Sequence, residues 1–232
     1  LGIPEKNGIY DVPGNSKMKV QIFVHYPKAI KMFFVKKPVF VCKLDDPGSN
    51  SIVSKIGWKL PSRWSYTLNS SGVPASVGGK NLPTIASAAF GQWTSAINGK
   101  VNISKTAANT TINRAKYDGK NIIAWGVTDA SALAVTYTWY YTSTKMVADV
   151  DTIMNKKFSW SWTAYNSSNL CSVVNTYDAQ NILTHELGHW YGLYDHYTDN
   201  FANNTMFGYG STAEIKKDTL TAGDKTGVNM IY

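Results

Sequence analysis

The sequence predicts an α+β fold, and three observations lead to this prediction. Hydrophobic residues make up 44% of the 232 residues and charged residues only 16%, which is typical of a chain with a sizeable folded core. Several short segments rich in β-branched and aromatic residues have the pattern of strands. Two longer segments carry apolar residues at helical spacing. No stretch approaches the roughly 18 consecutive apolar residues of a spanning helix, so we expect no membrane span.

The predicted elements follow one another along the whole chain. The strand candidates are residues 19–24, 39–42, 64–68, 121–127, 132–141 and 146–153. The first helix candidate, residues 82–97, places Ile85, Trp93 and Ile97 at helical spacing. The second helix candidate, residues 176–191, ends before Gly192, and a short third one, residues 220–231, lies behind Thr221 as its cap.

The chain divides into two parts at about residue 57. Residues 1–57 hold two strand candidates and a loop, whereas the alternation of strands and long helices begins at Trp58. We therefore predict an N-terminal extension or pro-segment over residues 1–57 and the main domain over residues 58–232.

Composition indicates an extracellular protein with a basic surface. The net charge is +8 without a run of five Lys or Arg or a nucleic-acid-binding motif, so we expect no nucleic-acid partner. The low charge content and the many Asn, Ser, Thr, Tyr and Trp residues suit secretion. The two cysteines, Cys42 and Cys171, then suggest one disulfide.

One motif carries the predicted chemistry, the segment from His185 through Glu186 to His189. Two imidazoles at positions i and i+4 lie on one face of a helix, one turn apart, and can reach a single zinc ion. Glu186 follows the first imidazole and can take a proton from a metal-bound water. Only four histidines exist, and three of them fall within twelve residues.

The motif extends to HExxHxxGxxDH, and in this form it resembles the metzincin clan of zinc peptidases. Gly192 stands where the clan has a glycine that turns the chain back under the metal. The position of the third ligand holds Asp195, as in snapalysin-like proteases, and His196 follows it. The resemblance therefore implies a zinc site of His185, His189 and Asp195, with His196 as the alternative third ligand.

Further residues support the resemblance over residues 58–232. Met206 resembles the methionine of the Met-turn, an apolar floor beneath the zinc ligands, and Tyr209 resembles the tyrosine three residues later in matrixins. The tail, residues 220–232, resembles the closing helix of matrixins. The resemblance implies a twisted mixed sheet packed on two long helices, with zinc at the floor of a cleft. It also implies that residues 132–138 form the edge strand to which a peptide substrate adds.

The resemblance implies a secreted zinc endopeptidase that acts as a monomer on a protein or peptide substrate. Three alternatives stay open: a latent zymogen blocked by residues 1–57, a non-catalytic zinc-binding protein of the same fold, and a thermolysin-type site with Glu214 as third ligand. Cys42 could also supply a thiolate that caps the zinc, as the switch cysteine of matrixins does, or stay free.

Two further sites carry weaker expectations. Asp149 and Asp151 are candidates for a structural Ca²⁺ site, although exposed aspartates beside a strand are commoner. His25 is expected to be an ordinary strand histidine rather than a ligand.

Overall fold

The structure is a computed structural model that describes residues 3–28, 40–42, 46–163 and 171–232. Its α-helices within these ranges are α1 (Leu82–Ala96), α2 (Ala179–Trp190) and α3 (Ala222–Asn229). The strands are β1 (Gly8–Val12), β2 (Asn15–Pro27), β3 (Phe40–Cys42), β4 (Arg63–Leu68), β5 (Asn102–Lys105), β6 (Ile122–Gly126), β7 (Ala134–Tyr141), β8 (Val147–Asn155), β9 (Trp160–Ser161), β10 (Cys171–Val173), β11 (Tyr177–Asp178) and β12 (Tyr209–Gly210).

One mixed sheet forms the centre of the fold. Its strands lie in the order β1-β2-β7-β8-β6-β4-β5, and β12 pairs with the end of β2. Strands β8, β6, β4 and β5 run parallel to one another, whereas β1, β2, β7 and β8 pair antiparallel. The predicted α+β class with a mixed sheet is therefore confirmed.

Helices α1 and α2 pack against the sheet and against each other. Their buried apolar side chains share one core cluster with those of the central strands; examples are Ile85, Trp93, Leu187, Trp190, Leu68, Ile123 and Met154. Burial of each such side chain stabilises the fold by about 1.5–3 kcal/mol. None of the helices in the described part of the chain is long and apolar enough to cross a membrane.

Side chains cap the starts of α2 and α3, and α2 begins at Ala179, three residues later than predicted. The Asp178 carboxylate accepts hydrogen bonds from the Gln180 and Asn181 amides, both at 2.9 Å, and so caps the start of α2. Thr221 and Asp224 form a reciprocal capping box at the start of α3. The third helix is shorter than predicted, since it ends at Asn229.

The N-terminal segment contributes strands to this same sheet. Strands β1 and β2 form a hairpin, and β2 pairs with β7 over eight residues, from Met18 opposite Tyr141 to His25 opposite Ala134. The expectation that residues 132–138 form a free edge strand is therefore wrong, because β2 pairs with one side of β7 and β8 with the other. The division at residue 57 stays a prediction, and parts of residues 1–57 lie outside the described ranges.

The two cysteines form a disulfide between β3 and β10. The predicted pair Cys42–Cys171 is thus confirmed. The alternatives in which Cys42 caps the metal or stays free are wrong for this structure, since both sulfurs are used.

Asp149 and Asp151 anchor a loop rather than face solvent. Both are buried in β8. The Asp149 carboxylate accepts hydrogen bonds from the backbone amides of Asp118, Gly119 and Asn121. The Asp151 carboxylate accepts them from Lys116 and Ile122. Neither aspartate belongs to a group of described side chains close enough to share a metal ion. The two carboxylates therefore serve backbone donors in this structure, and the Ca²⁺ site stays a prediction.

We predict that Asp149→Ala lowers the free energy of unfolding by about 1–3 kcal/mol or more, because it leaves buried amides without an acceptor. Denaturant unfolding measures this change. Asp118→Ala is the control and should change the free energy of unfolding much less, because among the described residues the Asp118 carboxylate accepts a hydrogen bond from the Lys120 amide alone. A rise in the stability of the wild type on adding Ca²⁺, lost in Asp149→Ala, would contradict this account.

Candidate metal centre

Helix α2 carries three of the predicted site residues on its buried face. His185, Glu186 and His189 have no exposed surface. Gly188, between them, faces Met206, and a Cβ at this position would lie 2.2 Å from the Met206 Sδ. Only glycine lets the helix approach Met206 this closely, so the helix is seated directly against the predicted Met-turn.

Gly192 turns the chain back after α2. Its φ of +94° lies in the left-handed region, and a Cβ would meet the Trp58 carbonyl oxygen at 2.7 Å. The turn returns Leu193 and Asp195 to the same side as the two histidines. The predicted role of Gly192 therefore has a steric and a conformational basis.

Backbone carbonyls fix the orientation of both imidazoles. The His185 Nδ1 lies 2.7 Å from the Thr205 carbonyl oxygen, and the His189 Nδ1 lies 2.8 Å from that of Leu193. A carbonyl only accepts, so each Nδ1 carries the proton and each Nε2 presents a lone pair. Such carbonyl partners are typical of metal-ligating histidines.

Three acceptor atoms meet at one point. The Asp195 Oδ1 lies 3.0 Å from the His185 Nε2 and 3.5 Å from the His189 Nε2. None of the three has a hydrogen-bond partner among the described residues. Ligand atoms about 2.0–2.1 Å from a tetrahedral ion lie about 3.3 Å apart, which matches these distances. His185, His189 and Asp195 are thus close enough to hold a metal ion.

The charges of the cluster also favour a cation. Burial opposes ionisation of Asp195, but His189 and His185 outweigh it and hold the pKa of that carboxyl well below its usual value. Burial likewise opposes protonation of His189, yet Asp195 raises the pKa of this imidazole. The ionised Asp195 carboxylate therefore supplies the negative charge that favours a cation, whereas burial and Lys217 lower the pKa of the His185 imidazole to about 4.

His196 and Glu214 lie outside this cluster. The His196 Nε2 accepts a hydrogen bond from the Ser54 amide at 2.9 Å, and its ring stacks on Phe201 at 3.8 Å. The Glu214 carboxylate lies near Asn181, close to the start of α2. The structure therefore places Asp195 beside the two histidines, whereas His196 and Glu214 lie elsewhere.

The loop of Met206 is held by α3. The Asp224 carboxylate accepts hydrogen bonds from the Thr205 amide at 2.9 Å and the Met206 amide at 3.2 Å. The same loop supplies the carbonyl that orients His185. Tyr209 lies in β12 beside β2, and its ring packs on Tyr197 and Phe207 rather than on the histidines.

Glu186 is buried beside the cluster with both carboxylate oxygens engaged. Its Oε2 accepts a hydrogen bond from the Thr136 hydroxyl at 2.6 Å, and its Oε1 lies 3.2 Å from the His25 Nδ1. Burial raises the pKa of Glu186 to about 7, although His189 and Thr136 act in the opposite direction. A carboxylate with this pKa is suited to accept and release a proton near neutral pH.

Strand β2 covers the centre. The Phe23 ring stacks on His189 at 4.0 Å, and the His25 ring lies 3.9 Å from that of His185. A cavity of about 470 Å³ opens beside Asp195, between Tyr194, Tyr197 and the β1–β2 hairpin. His25 lies in a strand, as predicted, but its contacts with Glu186 and His185 were not predicted. The position of Lys217, whose Nζ lies 3.2 Å from the His25 Nε2, was not predicted either.

Comparison with protein-family models found no matching family, and comparison with curated proteins found no match.

We predict that Asp195→Ala lowers the affinity for zinc by more than about 100-fold. Changes to groups that only orient ligands already cost about 10–100-fold, and this change removes a ligand atom. Zinc content after dialysis against a chelator of graded strength measures the loss. His196→Ala and the exposed carboxylate control Asp199→Ala should bind zinc as the wild type does. Loss of zinc in His196→Ala with retention in Asp195→Ala would contradict the assignment.

Proposed function

We propose that this chain is a zinc-dependent endopeptidase with a metzincin-like fold. One observation carries the proposal: two imidazole nitrogens and a carboxylate oxygen, with no hydrogen-bond partner in the described part of the chain, converge next to the buried carboxylate of Glu186, whose pKa is raised. The motif HExxHxxGxxD and the seating of Met206 against α2 support the same reading.

The donor set fits zinc better than a hard cation. Two imidazoles and one carboxylate match catalytic zinc sites with three protein ligands, whereas Ca²⁺ and Mg²⁺ prefer oxygen donors alone. Zinc held by His185, His189 and Asp195 would supply Lewis acidity to a substrate carbonyl and to the attacking water.

Glu186 is assigned the proton transfers. Its carboxylate accepts a proton as water adds to the scissile carbonyl, and it returns this proton to the amine nitrogen as the peptide bond breaks. The Thr136 hydroxyl holds one carboxylate oxygen in place and leaves lone pairs for the water.

A latent form is the second candidate, and the position of β2 favours it. This strand pairs with β7 and places Phe23 and His25 over the candidate metal ligands. In a latent form, activity would require displacement of the strand.

The disulfide is compatible with an oxidising extracellular compartment, and we propose that the protein acts there on protein or peptide substrates. We propose that it does so as a monomer.

We predict that Glu186→Gln keeps about one zinc per chain but lowers kcat/KM on a denatured protein substrate by about 10²–10⁴-fold. The amide cannot accept the proton from water. Glu214→Gln is the matched control, because it makes the same chemical change outside the cluster, and it should cleave as the wild type does. Equal cleavage by the wild type and Glu186→Gln would remove the proposed mechanism.

For the latent candidate we predict that activity appears after a lag and in step with a new N-terminus beyond residue 28. N-terminal sequencing during incubation, alongside the cleavage assay, measures both. Immediate cleavage by a chain whose N-terminus stays intact would contradict latency.

A further inference from the structure

Lys217 is a fully buried lysine, and each of its three N–H donors has an acceptor. It lies in the 3₁₀ turn Lys216–Asp218, and its side chain reaches the loop after Met206. Its Nζ donates to the carbonyl oxygens of Phe207 and Tyr209 and lies 3.2 Å from the His25 Nε2. An ammonium has three hydrogens and no lone pair, so these three partners account for all of its hydrogens.

This count determines which nitrogen of His25 carries the proton. An ammonium can only donate, so the His25 Nε2 must accept and cannot itself be protonated. A histidine ring whose Nε2 carries no hydrogen is neutral and holds one proton only. Its single proton is then on Nδ1, 3.2 Å from the Glu186 Oε1.

A second chain of donors reaches the other oxygen of Glu186. The Trp190 indole donates to the Thr152 hydroxyl at 2.8 Å, and Thr152 lies 2.7 Å from the Thr136 hydroxyl. Thr136 donates its own hydrogen to the Glu186 Oε2, so Thr152 must donate to Thr136. Both carboxylate oxygens therefore accept from a directed chain of hydrogen bonds.

We propose that Lys217 and His25 are positioning residues for Glu186. Lys217 fixes the tautomer of His25, and the His25 Nδ1–H then holds one oxygen of the buried Glu186 side chain in a fixed orientation for proton transfer. The proposal rests on the proposed peptidase function and treats β2 as a working part of the centre. Burying a carboxyl group whose oxygens lack hydrogen-bond donors costs free energy. Lys217 helps to avoid this cost, because it keeps the N–H of His25 on the side that faces Glu186.

The tautomer can be read without any activity. We would label the histidine ring nitrogens of the zinc-loaded full chain with ¹⁵N and record their proton couplings by NMR near pH 6.5. Burial lowers the pKa of Lys217 to about 8, so the ammonium is the main form at this pH. The His25 signals are assigned by their loss in His25→Asn. We expect the proton on Nδ1, and a proton on Nε2 would overturn the proposal.

Kinetics then test the positioning role. We expect Lys217→Met to lower kcat by about 10–100-fold, with KM and zinc content close to those of the wild type. The matched control is Lys216→Met, which removes the neighbouring, partly exposed lysine and should leave kcat unchanged. His25→Asn keeps a donor near the position of Nδ1 and should retain more activity than His25→Leu.

A double variant separates positioning from general damage to the fold. If Lys217 acts through His25, Lys217→Met should add no further loss of kcat in a His25→Leu background. Fully additive losses, an unchanged kcat in Lys217→Met, or a gain of activity in His25→Leu would each overturn the proposal, and the last would favour latency. If the wild type cleaves nothing, the peptidase function fails, while the tautomer is still decided by NMR.

Discussion

The candidate metal centre depends on two hydrogen bonds from imidazole to backbone. The Thr205 carbonyl fixes His185, and the Leu193 carbonyl fixes His189, so that both Nε2 lone pairs face Asp195. Each carbonyl is held in turn by the fold. Asp224 at the start of α3 anchors the Thr205 loop, and the Gly192 turn brings back Leu193. The arrangement of the candidate ligands is therefore a consequence of how α2, its following turn and α3 pack together.

Strand β2 makes the N-terminal segment part of this centre. Without it, β7 would have an open edge, and the rings of Phe23 and His25 would be missing from the histidine cluster. The same contact bears on both proposed forms of the protein. In the proposed latent form, β2 covers the candidate metal ligands and has to be displaced. In the proposed peptidase, β2 brings His25 to Glu186 and, through His25, connects Glu186 to Lys217.

Local sequence signals predicted the parts of the site that local structure determines. The spacing of His185 and His189, the glycine at 192 and the capping pattern at Thr221 act over a few residues, and the structure places each as expected. The contact of His25 with Glu186 joins residues 161 positions apart and depends on the register of β2 on β7. Period-two alternation predicts a strand but does not identify its neighbour, so neither this contact nor the buried state of Lys217 was predictable.

X-ray absorption at the zinc edge of the metal-loaded chain tests the central claim most directly. We predict one zinc ion with two imidazole nitrogens and at least one carboxylate oxygen, at about 2.0–2.2 Å, and no sulfur near 2.3 Å. A sulfur ligand, a shell without imidazole, or failure of the chain to bind zinc would contradict it.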